Sequence, residues 1–223
     1  MLDQAIAIDR HYGPALSCAA ICHQRFVNDG WALEPETARR KAMDLARQAL
    51  QVGENDPGVL ANAAQVLARF GEDIGAMIGL VDRALALNPS FALGWHWSGV
   101  LRLFAGQPDL AIEHIETSLR LSPREPAGTP LWLMGSAYFF KRQFDEAASK
   151  LLLSIQDHPG FPAPYRFLAS CYAHMGRLDE ARAIVAKLRA ITHQVVPSVL
   201  HLRNPEDREL FLSGLRLAMG EET

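Results

Sequence analysis

The sequence lacks the features that indicate a membrane span, a secretory leader or a disulfide framework. No segment approaches the roughly 18 unbroken apolar residues that a membrane span needs, and no basic stretch followed by an apolar core opens the chain. The 223 residues include three cysteines, an odd number that fits a reducing compartment. We therefore expect a cytoplasmic chain with no membrane attachment, in which Cys18, Cys22 and Cys171 are small core residues.

An excess of charge of one sign is also missing. The net charge of −3 arises from 22 basic and 25 acidic residues that are interspersed along the chain. Such a mixture creates no broad positive field to attract phosphate backbones, so we expect no nucleic-acid partner.

Catalytic motifs are absent as well. The chain has no glycine-rich phosphate loop, no nucleophile elbow and no pair of histidines flanking a glutamate in a metal motif. Cys18, Cys22 and His23 come nearest to a ligand cluster, but a structural zinc site needs four ligands and no second pair is evident. Paired acids such as Glu113 and Glu116 fit a solvated helix face better than acid–base catalysis. We expect no enzymatic activity, no cofactor and no metal site.

What the sequence does contain is a recurring pattern of small residues and prolines. Pro89 and Pro123 stand 34 residues apart, and Pro123 and Pro159 stand 36 apart. A small residue in the middle of a helix lets a partner helix pack closely, and a proline ends the second helix of a pair. No stretch alternates with period two, so the pattern predicts an all-α chain of helix pairs. The small residues that keep the same spacing are Gly99, Gly135 and Ala169, then Ala111, Ala147 and Ala181.

This pattern resembles the tetratricopeptide repeat. One repeat places Trp95, Gly99, Ala111, Ile115 and Pro123 in the family's signature positions. The next does so with Leu131, Gly135, Tyr138, Ala147, Leu151 and Pro159. Arg102 departs from the family by standing where an aromatic is usual, and its apolar stem can cover the contact while its charge stays in water. The resemblance implies a right-handed α-solenoid of helix hairpins.

A solenoid needs no division into globular domains, because each repeat touches only its neighbours. We predict one array over residues 1–223, with an insert of about ten residues, Val27 to Glu36, in its first full repeat. The opening half repeat indicates either that the array starts this way or that the chain is part of a longer protein. The predicted units are a half repeat at 1–12, repeats at about 13–57, 58–91, 92–127, 128–161 and 162–194, and a capping segment at 195–223.

The last segment differs from the repeats. Asn204 can cap a helix, Pro205 suits its first position, and Glu206 and Asp207 complement its amino end. Apolar residues then recur at helical spacing. We expect this helix to cover the apolar face of the last repeat, and a dimer contact is the alternative use of the same surface.

In the repeat family that the chain resembles, the first helices line a concave groove that holds a peptide or a helix of another protein. Trp132 and Phe139 would then be aromatic anchors, and Arg69 and Arg166 would pair with carboxylates. Aromatic residues at helical spacing are equally typical of a core. The lysine and second asparagine with which some members grip a peptide carboxylate are not recognisable, which favours a mixed peptide or an intramolecular segment as ligand. Carried over by repeat position, the groove residues are Asn62, Arg69, His96, Trp132, Phe139 and Arg166.

The tail of the chain carries a second resemblance. Val195 to Pro197, Arg203 to Arg208, Leu215 and Arg216 are similar to the end of bacterial proteins that join a class III adenylate or guanylate cyclase domain to these repeats. This implies a non-catalytic scaffold that binds a protein or peptide, or that docks a cyclase or DNA-binding domain of the same parent chain. The alternative function is self-association as a homodimer, through an end face or the insert at 27–36.

Overall fold

The structure is a computed structural model that describes residues 2–124 and 126–221. Within those ranges the chain forms twelve α-helices and no strand, as the sequence pattern predicts. The helices are α1 (Leu2–Ile8), α2 (Gly13–Asp29), α3 (Pro35–Val52), α4 (Pro57–Arg69), α5 (Ile74–Leu87), α6 (Ala92–Phe104), α7 (Pro108–Leu121), α8 (Gly128–Phe140), α9 (Phe144–Asp157), α10 (Pro162–His174), α11 (Leu178–Arg189) and α12 (Pro205–Met219).

From α2 to α11 the helices form five hairpins that stack in chain order. Glycines set the close approach inside two of them. A Cβ atom on Gly99 of α6 would lie 2.9 Å from Ile115 of α7, and one on Gly135 of α8 would lie 2.7 Å from Leu151 of α9. Real Cβ atoms do not approach so closely, so both contacts require a residue without a side chain. The predicted role of the small residues is confirmed at these two positions.

Arg102 replaces the usual aromatic residue with a side chain that serves two purposes. Its Nη2 atom lies 3.2 Å from both carboxylate oxygens of Asp82 on the preceding hairpin. The side chain is only 20% exposed, so its stem covers the helix contact while the guanidinium reaches an acid.

The insert in the first hairpin takes a different form from the one predicted. The loop between α2 and α3 spans residues 30–34, and the two helices have 17 and 18 residues against 13 and 14 in the next hairpin. The additional residues therefore lengthen both helices instead of forming a long loop. Gly30 ends α2 in the left-handed conformation, with φ of 78°.

The expectation that all three cysteines are core residues is wrong for two of them. Cys171 is buried in the core, where desolvation raises the pKa of its thiol to about 12. Cys18 and Cys22 are exposed on α2 instead of lying in the core. Alanine fills the close helix contacts of the first hairpin, at Ala20 and Ala46, which leaves the cysteines on the outer face.

The capping helix α12 begins as predicted, because Asn204 Oδ1 accepts a hydrogen bond from Glu206 N at 2.9 Å. It covers α10, the first helix of the last hairpin. Ser170 Oγ donates to the carbonyl of Phe211 at 3.2 Å, and the Phe211 ring lies 4.4 Å from the Phe167 ring. In the part of the chain that the structure describes, no helix is both long and apolar enough to cross a membrane.

Candidate functional site

The side of the array formed by the first helices is here called the concave side, after the groove that the resemblance implies. Residues 190–204, here called the tail segment, leave α11, run along this side and lead to α12. The first part of the tail segment contacts the end of α2. Thr192 Oγ1 donates to the carbonyl of Asp29 at 2.6 Å, and Trp31 Nε1 donates to the carbonyl of Ile191 at 3.3 Å. These pairs bring the loop after the last repeat against the first hairpin.

The end of the tail segment contacts α4 and α6. Arg203 donates from its backbone N to the carbonyl of Phe104 at 2.8 Å. Its Nη2 atom donates to the carbonyls of Ala68 and Glu72 at 3.1 and 2.7 Å. The ring of His201 lies 4.5 Å from that of Phe104. The tail segment therefore runs along the carboxyl ends of three first helices.

Arg166 of α10 joins the last hairpin, the tail segment and the first hairpin. Its Nε and Nη2 atoms donate to the carbonyls of Val195 and Gln194 at 3.2 and 2.6 Å, and Nη1 donates to the carbonyl of Asn28 at 3.3 Å. The residue is 2% exposed, and burial lowers the pKa of its guanidinium to about 10 against the opposing effect of Asp29. A predicted groove residue thus holds polypeptide backbone.

Arg69 lies beside this cluster at the end of α4. Its Nε atom donates to Asn28 Oδ1 at 2.9 Å, and its guanidinium carbon lies 6.0 Å from the centre of the Phe104 ring. Burial, and then the charge of Arg166, lower the pKa of Arg69 to about 9, while Asp29 opposes the shift. The result is a pair of neighbouring guanidinium groups on the concave side, with Arg166 buried and Arg69 partly buried.

Asp29 is the buried acid of the cluster. Burial raises the pKa of its carboxyl, and the charges of Arg25, Arg166 and Arg69 oppose that shift. Arg25 Nε lies 3.8 Å from Asp29 Oδ2, which is beyond hydrogen-bonding distance. The Oδ2 atom is fully buried and has no hydrogen-bond partner among the described residues.

Two other predicted groove residues make contacts between the helices instead of facing an open groove. Asn62 donates from Nδ2 to Ser17 Oγ at 3.4 Å and accepts from Trp97 Nε1 at 2.9 Å, which links α4 to both neighbouring first helices. His96 is 5% exposed, and burial lowers the pKa of its imidazole to about 4. Its ring lies 4.9 Å from that of Trp97.

The two predicted aromatic anchors occupy different environments. Phe139 is fully buried in the core, with the rings of Phe140, Phe167 and Phe211 around it. Trp132 is partly buried, and its ring lies 5.4 Å from that of Phe161. The Trp132 Nε1 atom is buried and has no hydrogen-bond partner within residues 2–124 and 126–221.

A cavity of about 140 Å³, here called the central cavity, remains between the concave face and the tail segment. Arg69, Trp132 and Arg166 lie on its wall, whereas Asn62, His96 and Phe139 do not. Asp29 and Gln65 also line it and carry no sequence signal, since they become wall residues only through the crossing of the tail. The aromatic part of the wall comes from Trp97, Phe104, Trp132, Phe161, Phe167 and Phe211.

A second depression, here called the insert groove, lies between the predicted insert and the tail segment and has a volume of about 560 Å³. Its lining residues are Val27, Asn28, Gly30, Ala32, Pro35, Glu36, Arg39, Arg69, Phe70, His193, Gln194, Pro197, Ser198 and Leu200. Leu200, on its wall, is 65% exposed. Leu33 in the adjoining loop is fully exposed, and Trp31 is 47% exposed. Exposed apolar side chains therefore lie in and beside the insert groove.

Comparison with known proteins supports the fold and part of the sequence pattern. The tetratricopeptide-repeat family model matches residues 141–204. No curated protein sequence matches the chain. Among the described residues, no three His, Cys, Asp or Glu side chains gather closely enough to hold a metal ion.

Solved structures with a similar fold cover most of the chain. The thermophilic TPR protein TTC0263 of Thermus thermophilus has a TM-score of 0.62 and 21% identity, over 88% of this chain and 99% of that one. YrrB, described as a TPR protein with an unusual peptide-binding site, has a TM-score of 0.51 and 18% identity, over 90% and 96%. The APC/C hetero-tetramer Cut9–Hcn1 has a TM-score of 0.67 and 16% identity, over 96% and 38%. The chain therefore has the helix-hairpin fold of these solved tetratricopeptide-repeat structures, and the family model matches residues 141–204.

Proposed function

We propose that the chain is a non-catalytic protein-interaction scaffold of the bacterial cytoplasm, and that it forms the regulatory region of a larger signalling protein. Its concave side binds an extended peptide or a segment of a partner domain. In the parent protein, the segment belongs to a cyclase or DNA-binding domain whose activity depends on this docking.

The observation that supports this proposal is the way in which the concave side holds the chain's own tail segment. Arg166 donates three hydrogen bonds to backbone carbonyls, two of them on the tail segment. Carbonyl recognition does not depend on side-chain identity, so the same donors suit another extended polypeptide. YrrB, which has a similar fold, is described as having a peptide-binding site.

A partner that uses this surface competes with the tail segment. We would weaken the tail's contacts with the double variant Thr192→Ala and Arg203→Ala, which leaves the groove residues intact. A labelled synthetic peptide with the sequence of residues 191–204 should bind this variant more tightly than the unaltered chain, as measured by fluorescence anisotropy. The loosened variant is then the bait for a random peptide library.

The groove is tested by adding Trp132→Ala and Arg166→Ala to the loosened variant. Peptide binding should be lost while the helical circular dichroism signal is retained. The matched control is Trp95→Ala with Arg120→Ala, which removes the same two residue types outside the central cavity. Unchanged peptide binding in the groove variant would remove the concave side from consideration.

Self-association through the insert is the second candidate function, and the exposed residues of the insert groove favour it. Leu33 and Leu200 are 101% and 65% exposed, and apolar residues grouped on a surface are typical of contact sites. Light scattering on the chain should then report a dimer that Leu33→Asp with Leu200→Asp converts to a monomer. A monomer at high protein concentration would contradict this function.

A further inference from the structure

The central cavity has a wall of mixed chemistry that packing of the array does not explain. Six aromatic rings and several aliphatic side chains surround a volume of about 140 Å³. Asp29, Gln65 and Arg69 place polar atoms on the same wall. An aromatic enclosure with a few polar groups is the usual composition of a small-molecule site.

Several of these polar groups have no protein partner. Gln65 is 6% exposed, and its buried Oε1 atom has no hydrogen-bond partner among the described residues. The indole N–H of Trp132 is also buried and has no hydrogen-bond partner among the described residues. Buried polar atoms in native proteins are almost always hydrogen-bonded, so each unpartnered atom on a cavity wall indicates a missing partner.

The charges on the wall are unbalanced toward the positive. Arg166 is buried and Arg69 is partly buried. Asp29, whose buried Oδ2 atom has no hydrogen-bond partner among the described residues, is the one carboxylate on this wall, and the charges of Arg25, Arg69 and Arg166 all act on it. Arg166 donates to carbonyls only. Within the described part of the chain, Arg69 donates one hydrogen bond, from Nε to the side-chain oxygen of Asn28. The N–H groups of its two terminal nitrogens therefore make no hydrogen bond to those residues. Buried charges in proteins are normally paired.

We propose that the central cavity binds a small organic anion, a carboxylate carried on an aromatic or branched apolar body. The terminal nitrogens of Arg69 and the indole N–H of Trp132 bind the carboxylate oxygens. The aromatic wall encloses the apolar body, and Gln65 takes a polar substituent. This site shares Trp132 and Arg166 with the proposed peptide-binding surface, but the small anion binds while the tail segment stays in place as one of its walls.

The dimensions favour a free small molecule over the end of a peptide. An engineered protein cavity of about 150 Å³ holds benzene, so a single substituted ring fills this volume. Pro197, His201 and Leu202 of the tail segment and Phe211 of α12 form part of the wall. A polypeptide that takes the place of the tail segment would remove three of these wall residues, whereas a small molecule leaves them in place.

The test uses the full chain and three probes that share one ring, namely benzoate, benzylammonium and benzyl alcohol. The chain has four tryptophans, so its ¹H–¹⁵N spectrum shows four indole resonances, and the one that disappears in Trp132→Phe identifies Trp132. Benzoate should shift that resonance saturably, with a dissociation constant on the order of 1 mM, as expected for a ligand of this size. Benzylammonium should bind at least about tenfold more weakly.

Two variants separate the roles of the donors. Arg69→Met should abolish benzoate binding while benzyl alcohol still shifts the Trp132 resonance, which shows that the cavity persists. Trp132→Phe keeps the aromatic wall and removes only the N–H, so it should weaken benzoate binding measured by calorimetry. The matched control is Trp95→Phe, because Trp95 Nε1 donates to the carbonyl of Pro89 outside the cavity.

Three results would overturn the proposal. The first is that benzoate leaves the Trp132 resonance unmoved, and the second is that all three probes bind equally. The third comes from the peptide Gly-Gly-Phe with a free carboxyl end. If it displaces benzoate from Trp132 at a lower concentration than benzoate itself needs, the anion is a peptide terminus instead of a free molecule.

Discussion

Arg166 in the last hairpin donates a hydrogen bond to the carbonyl of Asn28 in the first, 138 positions earlier in the chain. Repeats of a solenoid ordinarily contact only their neighbours, so their stability is nearly a sum of local terms. Here one buried side chain joins the two ends of the array and also fixes the tail segment between them. Unfolding of either end should therefore affect the other.

The substitution Arg166→Met should destabilise the chain by about 3 kcal/mol, because three carbonyls lose a charged donor in a buried region. Urea unfolding measures the loss, and hydrogen exchange should show faster opening at residues 28–30 and 192–196. The control Arg182→Met removes an arginine whose side chain is 55% exposed and should change stability little. Faster exchange confined to α10 would contradict the coupling between the ends.

Gly30→Ala should be more destabilising than Gly176→Ala, although both glycines have nearly the same left-handed backbone, with φ of 78° and 75°. At Gly30 the new Cβ would lie 2.6 Å from Thr192 Oγ1, whereas at Gly176 no atom lies within 4 Å. We expect a loss of about 1 kcal/mol at Gly176 from backbone strain and about 3 kcal/mol at Gly30. Equal losses in thermal unfolding would show that the tail segment does not press on the first hairpin.

Two helical glycines should respond to alanine with opposite signs. A Cβ at Gly135 would lie 2.7 Å from Leu151, while Gly79 on α5 has no atom within 4 Å. Gly135→Ala should therefore destabilise the fourth hairpin by about 2 kcal/mol. Gly79→Ala should stabilise the chain by about 0.5 kcal/mol, because alanine loses less backbone entropy in a helix. A neutral Gly135→Ala would show that the two helices of the hairpin can separate.

Stability should fall as the solution becomes acidic. Burial lowers the pKa of His96 from 6.5 to about 4. Between these two pH values the imidazole of His96 is protonated in the unfolded chain and neutral in the folded chain. The loss begins near pH 6.5, ends near pH 4 and amounts to roughly 3 kcal/mol. Burial also lowers the pKa of His201, which adds a loss of the same sign.

Urea unfolding at a series of pH values between 7.5 and 4 measures this slope, and the range is set by the pKa of about 4 for His96. The variant His96→Phe should be less dependent on pH over that interval. An unaltered slope in the variant would show that other groups cause the acid sensitivity.

The sequence could predict the parts of the fold that depend on close neighbours. The positions of Gly99 and Gly135 are readable because each makes a contact inside its own hairpin, at a spacing that recurs. The cap at Asn204 is readable for the same reason, since its hydrogen bond to Glu206 spans two residues. The form of the insert is not specified in this way, because a helix extended by one turn and a longer loop fit the same residues.

The candidate site could be predicted only in part. The repeat position placed Arg69, Trp132 and Arg166 on the concave side, where they line the central cavity. The same rule also selected Phe139, which is fully buried among the rings of Phe140, Phe144, Phe167 and Phe211. Repeat position predicts the direction in which a side chain points. It does not predict which residues from other elements of the fold then pack against that side chain.

The amino-acid sequence by itself determined the hairpins, their pitch and the cap of the last helix, because these depend on contacts that recur at a regular interval. Only the tertiary structure decided that the tail segment crosses the concave side and forms one wall of a cavity beside Arg69 and Arg166. Contacts such as Thr192 with Asp29, 163 positions apart, occur once and leave no periodic pattern. Their free energy depends on the curvature of the whole array, which no single repeat contains.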